Sequence, residues 1–195
     1  MNNVEKFEKD GYLVVKNFLD TKTTEIISRY LENRINRGEW KSGSEVIHVS
    51  KYFYYGDPLI EVLLLESKET IENLTGKDLD PTYSYTRIYQ SEDILHKHID
   101  RPSCEISVTV NIANKGKKSP IFMKYKNNDS VECFLDPGDA VVYKGCEVYH
   151  WRDKLLEDQL VVQFMLHYVD KNGQNSKYKK DGRFSYGMKS PVEME

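Results

Sequence analysis

Residues 94–107 read ILHKHIDRPSCEIS, with His96, His98 and Asp100 at alternate positions. On an extended chain, side chains at i, i+2 and i+4 share a face. The spacing therefore predicts either three metal-capable groups projecting together or a polar strand end that alternates without chemical purpose. Which of the two holds depends on whether the surrounding sequence is β-structured and whether a further ligand lies elsewhere.

The surroundings are β-structured from Pro81 onward. Runs of β-branched and aromatic residues recur as YSYTRIY (83–89), EISVTVNI (105–112), PIFMKY (120–125), VECFL (131–135), DAVVYK (139–144), EVYHW (147–151) and QLVVQFMLHYV (159–169). Between them lie turn sequences: NKGKK (114–118), KNND (126–129), DPGD (136–139) and KG (144–145). Short strands at this spacing predict a sandwich, jelly roll or barrel rather than a parallel βαβ sheet. Before Pro81, helices are expected to dominate. One follows Asp20 or Thr21, with Ile26, Ile27, Tyr30, Leu31 and Ile35 on its apolar face, and ends at Gly38. A second begins near Asp57-Pro58 and runs toward Leu74 and Gly76.

A further candidate metal ligand is present. His150, in EVYHWR, lies fifty residues beyond Asp100 and directly follows the turn-rich DPGDAVVYKG segment. Two imidazoles and one carboxylate form a facial triad, which leaves one side of an Fe(II) octahedron open. A structural zinc site would instead need a fourth protein ligand. His96 shares a face with His98, yet one strand rarely supplies three ligands to one ion, so a supporting or solvent role is expected. A cupin-like pair of His96 and His98 is the alternative.

HIDRPSCEIS followed by PGDAVVYKGCEVYHWRD resembles the HxD…H pattern of the Fe(II)/2-oxoglutarate-dependent dioxygenases. FEKDGYLVVKNFL (7–19) is similar to the opening segment of their prolyl-hydroxylase-like and phytanoyl-hydroxylase-like branches. The resemblance implies a double-stranded β-helix (jelly-roll) core behind N-terminal helices, with His98, Asp100 and His150 as catalytic metal ligands for Fe(II). It also implies 2-oxoglutarate and dioxygen as cosubstrates, and hydroxylation of an unactivated C–H bond with release of succinate and CO2. Halogenating relatives replace the carboxylate, so Asp100 argues against halogenation.

In that family an Arg or Lys about ten residues after the second histidine commonly holds the distal 2-oxoglutarate carboxylate, but QLVVQ (159–163) stands there instead. An anion in a closed barrel still needs a partner. Arg152, two residues beyond His150, is the favoured anchor, and Arg87 is the other candidate. Tyr89 lies nine residues before His98, close to where relatives carry a tyrosine that touches the cosubstrate. Ser107, Thr109 and Asn111 share one face of their strand and suit either a polar interior or an exposed surface, with Thr109 the candidate cosubstrate contact.

Several neighbours of the motif have structural expectations. Arg101 and Glu105 are expected to pair, Trp151 to pack on the outer face and Cys104 to be a small buried residue. The aromatic YFYYG (52–56) is expected to pack between helix and sheet rather than line a substrate mouth. His48 and His167 are read as structural or surface residues.

The whole chain bounds the function. Its 195 residues suit one domain, with a helical part (1–80), a jelly-roll core (81–170) and a polar tail (171–195) expected to lie loosely on the surface. A formal net charge of −3 is too even for a phosphate-backbone footprint, which argues against nucleic acid. No secretory leader or membrane span is recognisable, and three cysteines without a CxxC pair fit a reducing cytoplasm. A small-molecule or peptide substrate is expected. The alternatives to an oxygenase are a cupin-like metal protein that uses no keto acid (an oxygenase of another type, an isomerase or a sensor) and a ligand-binding jelly roll without catalysis.

Overall fold

The computed structural model describes residues 1–44 and 48–188. Helix α1 (Asn3–Asp10) leads into strand β1 (Tyr12–Val15), followed by α2 (Thr21–Asn36), β2 (Lys41–Ser44), β3 (His48–Tyr55), α3 (Pro58–Glu66) and α4 (Lys68–Thr75). The remaining strands are β4 (Leu79–Tyr89), β5 (Ile94–His98), β6 (Ile106–Lys115), β7 (Ile121–Tyr125), β8 (Val131–Cys133), β9 (Ala140–Lys144), β10 (Val148–Arg152) and β11 (Leu160–Asp170).

The helices begin where their caps dictate. Asn2 and Glu5 form a reciprocal capping box on α1, the Asp20 carboxylate accepts the Thr23 amide at 2.9 Å, and Asp57 caps α3 ahead of Pro58. The single helix expected from Asp57 to Gly76 is instead two. At Ser67 the amide is shared between the Leu63 and Leu65 carbonyls, and the chain restarts as α4. On α3, Ile60 and Leu64 are fully buried, whereas Val62 and Leu65 are exposed.

All strand pairs are antiparallel, in the hydrogen-bonded order β1-β9-β6-β11-β4-β3-β5-β10-β7-β8, with β2 on β3. On either side of β3 the order divides into two layers: β4, β6, β9 and β11 form one, and β5, β7, β8 and β10 the other. Val141 and Tyr143 of β9 cluster with Ile121, Met123, Tyr125 and Val148 of the opposite layer, so the layers face each other as a jelly roll. β2 and β3 lie within the part expected to be helical. β3 pairs with β4 of the first layer and with β5 of the second, and β2 pairs with β3.

The two faces of the first layer differ in chemistry. On β6, Ile106, Val108, Val110 and Ile112 pack against Phe7, Ile27, Leu31, Ile60 and Leu64 of the helices. Ser107, Thr109 and Asn111 point the other way, between the layers, and are also buried. Covering one face with helices thus frees the other to be a polar interior, and the interior is where the site lies.

Residues 171–188 dock rather than drape. Asp181 accepts the Tyr55 hydroxyl at 2.6 Å and Arg101 at 2.8 Å, while buried Arg183 pairs with Glu61 and donates to the Thr82 carbonyl at 2.8 Å. Among the described residues, no helix is long and apolar enough to cross a membrane.

Candidate metal centre

β5 ends at His98, and the chain then leaves the strand. Ile99 turns outward, Asp100 follows, and Pro102 starts a short 3-10 turn through Cys104. Asp100 is therefore held by loop contacts rather than by a ladder. Its amide donates to the Gly145 carbonyl at 2.8 Å, which ties the loop to the turn between β9 and β10. On β10, Val148, His150 and Arg152 alternate inward, and His150 sits opposite His98 in the strand register.

Ligand atoms of His98, Asp100 and His150 lie within 4.8 Å of one another. The two imidazoles are oriented alike: His98 Nδ1 lies 2.8 Å from the His96 carbonyl, and His150 Nδ1 lies 3.1 Å from the Val148 carbonyl. A carbonyl can only accept, so each Nδ1 carries the proton and each Nε2 presents a lone pair. Those Nε2 atoms face Asp100 Oδ1 at 3.6 Å (His98) and 3.4 Å (His150). Three acceptors thus converge on one point, an arrangement balanced by a cation or, without one, by a proton. Burial pushes His150 toward the neutral form, but facing Asp100 outweighs it and raises its pKa above the ordinary value. Burial likewise raises Asp100, yet His150, His98 and His167 together hold its carboxyl well below the usual range. The donor set, two neutral imidazoles and one carboxylate, fits Fe(II).

His96 is exposed and lies outside this cluster; its contribution is the carbonyl that orients His98. The HxH arrangement is therefore not the one assembled.

Behind Asp100 lies a set of groups that sequence reading did not connect. Ser107 Oγ lies 2.7 Å from Asp100 Oδ2, 3.1 Å from the Cys104 carbonyl and 2.9 Å from His167 Nδ1. Burial pushes His167 down to about 4, so it is neutral near pH 7. Asp100, Cys104 and His167 form a second group at ligand distance, but burial raises the Cys104 thiol far above neutrality and its sulfur lies 3.0 Å from the Tyr83 hydroxyl. Gly145 completes the enclosure: a Cβ there would stand 2.0 Å from the Cys104 carbonyl oxygen and 2.6 Å from Asp100 Oδ2. The signal for Ser107 was its alternation with the apolar residues of β6 and for Gly145 the KG turn, while nothing in the sequence joined His167 to them.

The other expected residues also face the interior. Arg152 is 3% exposed and donates to the Ser119 carbonyl at 2.6 Å and to Gln163 Oε1 at 3.0 Å; its Nε makes no hydrogen bond among the described residues. No carboxylate among the described residues pairs with it, and burial pushes it down to about 10, still protonated at neutral pH. Its guanidinium lies 5.7 Å from the buried Tyr89 ring. Arg87 is equally buried, donates to the Tyr85 hydroxyl at 3.2 Å and stands opposite Gln163 across the β4–β11 pair. Thr109 Oγ1 is 3.4 Å from the Tyr143 hydroxyl, and the Tyr143 ring centroid is 4.7 Å from that of His150.

The expected Arg101–Glu105 pair does not form. Arg101 reaches Asp181 instead, and Glu105 accepts the Asp170 amide at 3.1 Å, because the 3-10 turn separates the two side chains that a continuous strand would have aligned. Trp151 stacks on Phe122 on the outer face, with centroids 5.1 Å apart, and Cys104 is buried. Tyr55 stacks on Tyr83 and Phe53 on Tyr85, so this part of the aromatic run packs strand on strand. The His48 side chain lies outside the described residues.

The fold is similar to the double-stranded β-helix of solved Fe(II)/2-oxoglutarate oxygenases. In particular, it is similar to a prolyl-4-hydroxylase of Pseudomonas putida (TM-score 0.68, 14% identity, covering 84% of this chain and 96% of that one). It is also similar to a prolyl hydroxylase of Trichoplax adhaerens, solved with a hypoxia-inducible-factor peptide (TM-score 0.72, 15% identity, 92% and 90% covered). A third similar structure is SnoN, an α-ketoglutarate-dependent epimerase of nogalamycin biosynthesis (TM-score 0.74, 10% identity, 96% and 90% covered). No protein-family model matches the sequence, and no curated protein matches it. At these identities the likeness defines the fold; the chemistry has to be argued from the residues.

Proposed function

We propose that this protein is an Fe(II)- and 2-oxoglutarate-dependent oxygenase that hydroxylates an unactivated C–H bond of a small molecule or peptide. The observation that carries the reading is the convergence of His98 Nε2, Asp100 Oδ1 and His150 Nε2, with both imidazoles fixed as the tautomer a metal requires. Iron and 2-oxoglutarate would supply oxidation by dioxygen, with the keto acid leaving as succinate and CO2.

In this reading His98, Asp100 and His150 hold the metal and leave its remaining positions to cosubstrate and dioxygen. Arg152 pairs the distal 2-oxoglutarate carboxylate, a role supported by its burial without an acid and its inward position two residues from His150. Arg87 is the second candidate for that carboxylate. Tyr89 and Thr109 line the same interior as cosubstrate contacts. The apolar core flanking these groups keeps bulk water from the reacting atoms. Residues 1–170 act as one oxygenase domain, against which the following segment docks. A cytoplasmic setting is part of the proposal, supported by three cysteines that form no disulfide.

The test is succinate formation from 2-oxoglutarate in the presence of Fe(II), ascorbate and air. The proposal expects iron-dependent succinate from the native chain and none from Asp100→Ala. Equal background from both proteins would count against it.

A further inference from the structure

We infer that Ser107 and His167 are positioning residues that fix the Asp100 carboxylate for one-oxygen coordination, holding Oδ2 to the protein and turning Oδ1 to the ion. The inference rests on the reading of His98, Asp100 and His150 as metal ligands and adds the groups that orient one of them.

The directions of the hydrogen bonds follow from counting protons. The Ser107 hydroxyl has one proton to donate and lies near two groups that can only accept, Asp100 Oδ2 at 2.7 Å and the Cys104 carbonyl at 3.1 Å. The shorter contact is to the charged oxygen, and hydrogen bonds to a carboxylate are the stronger kind, so the proton goes to Asp100. His167 Nδ1, 2.9 Å from the same hydroxyl, is then its donor. The chain runs from His167 Nδ1–H through Ser107 Oγ–H to Asp100 Oδ2. β6 and β11 place its two supporting members directly across from each other, since Ser107 and His167 are register partners.

The enclosure is tight on the remaining side. The Asp100 amide is tied to the Gly145 carbonyl, and the space a Cβ of residue 145 would occupy is within 2.6 Å of Oδ2 and 2.8 Å of Ser107 Oγ. With Oδ2 engaged, only Oδ1 remains to face His98 and His150. A carboxylate without these partners could swing and chelate through both oxygens, consuming a position that a cosubstrate needs.

Co(II) is the probe, read by calorimetric affinity and by its visible absorption, whose intensity follows coordination number. The native chain is expected to bind one Co(II), and Asp100→Ala none; a native chain that binds no Co(II) removes the metal reading, and this inference with it. Given native binding, Ser107→Ala is expected to weaken Co(II) affinity by roughly tenfold or more and to change the band intensity. His167→Phe, which keeps a ring but loses the donor, is expected to act in the same direction, and His167→Asn, which restores an N–H near the Nδ1 position, to recover native affinity and spectrum. Should Ser107→Ala fail to fold, as judged by far-UV circular dichroism, the two His167 variants decide. Native affinity and an unchanged spectrum in Ser107→Ala and His167→Phe would overturn the inference, as would equal losses in His167→Phe and His167→Asn.

Discussion

His98 and His150 stand directly opposite each other across the β5–β10 pair, with ring centroids 4.2 Å apart and both Nε2 atoms turned to Asp100 Oδ1. Cross-strand placement makes the spacing a property of the sheet rather than of a flexible loop. Replacing Asp100 or His150 with Ala is therefore expected to abolish divalent-metal binding while leaving the circular dichroism spectrum native, because an open catalytic metal site contributes little to folding. Calorimetric titration with Mn(II) checks the first and thermal melting the second. His96→Ala, at an exposed position, is expected to bind metal as the native chain does.

The pH dependence of stability should carry the mark of His167. Its pKa falls from 6.5 to about 4 on folding because burial disfavours the charged form. Between those values the unfolded chain binds a proton that the folded chain does not, so stability rises with pH across this window and is lost as pH falls through it. The full difference amounts to about 3 kcal/mol. Chemical denaturation of the metal-free protein at pH 7 and pH 4.5 measures it, and His167→Asn should flatten the dependence.

Gly145→Ala is expected to destabilise the protein by about 1–3 kcal/mol, the range for overpacking a filled interior. Its Cβ would meet the Cys104 carbonyl oxygen at 2.0 Å, and backbone on that side cannot rotate away as a side chain would. The variant should also bind metal more weakly, since relief of the clash displaces Asp100. Melting temperature and Mn(II) affinity report the two effects separately.

Removing Arg183 should be costly although it lies in the segment after β11. Its guanidinium and the Glu61 carboxylate are 2.7 Å apart and almost fully buried, so Arg183→Ala leaves a buried uncompensated charge. A loss of about 3–5 kcal/mol is expected. An unchanged denaturation midpoint would show that this segment does not bind the body of the protein in solution.

The jelly-roll strands were legible because each is short, rich in β-branched or aromatic residues and bounded by turn chemistry; β6 to β11 lie within a few residues of the runs read from sequence. β2 and β3 were not, because KSGS and HVSKYFYY lack a clean alternation and their strand character comes from cross-strand pairing, β2 with β3 and β3 with β4 and β5. The alternation on β6 was visible, but whether Ser107, Thr109 and Asn111 faced water or an interior depended on the helices that cover the other face. The cluster of His98, Asp100 and His150 could be anticipated because His98 and Asp100 are two residues apart and the resemblance to the HxD…H pattern joined them to His150 across fifty residues. His167 could not, because its partner Ser107 is sixty residues away and only the β6–β11 register joins them. Residues 171–188 read as a polar tail for a similar reason: Arg183 and Asp181 look solvated until Glu61, Tyr55 and Arg101 are seen to receive them.

The central claim is that a buried cation beside the metal centre accepts the distal carboxylate of 2-oxoglutarate, and anaerobic titration of 2-oxoglutarate into the Fe(II)-loaded protein tests it most directly. The account predicts a visible metal-to-ligand absorption band in the native chain and in Arg152→Ala, with the latter needing about a hundredfold more 2-oxoglutarate, corresponding to roughly 3 kcal/mol for one partner lost from a desolvated pair. Fe(II) affinity should barely change, and Arg87→Ala should show the smaller shift. The reverse ranking would move the anchor to Arg87. No band in the native chain, or the same half-saturation in all three proteins, would contradict the account.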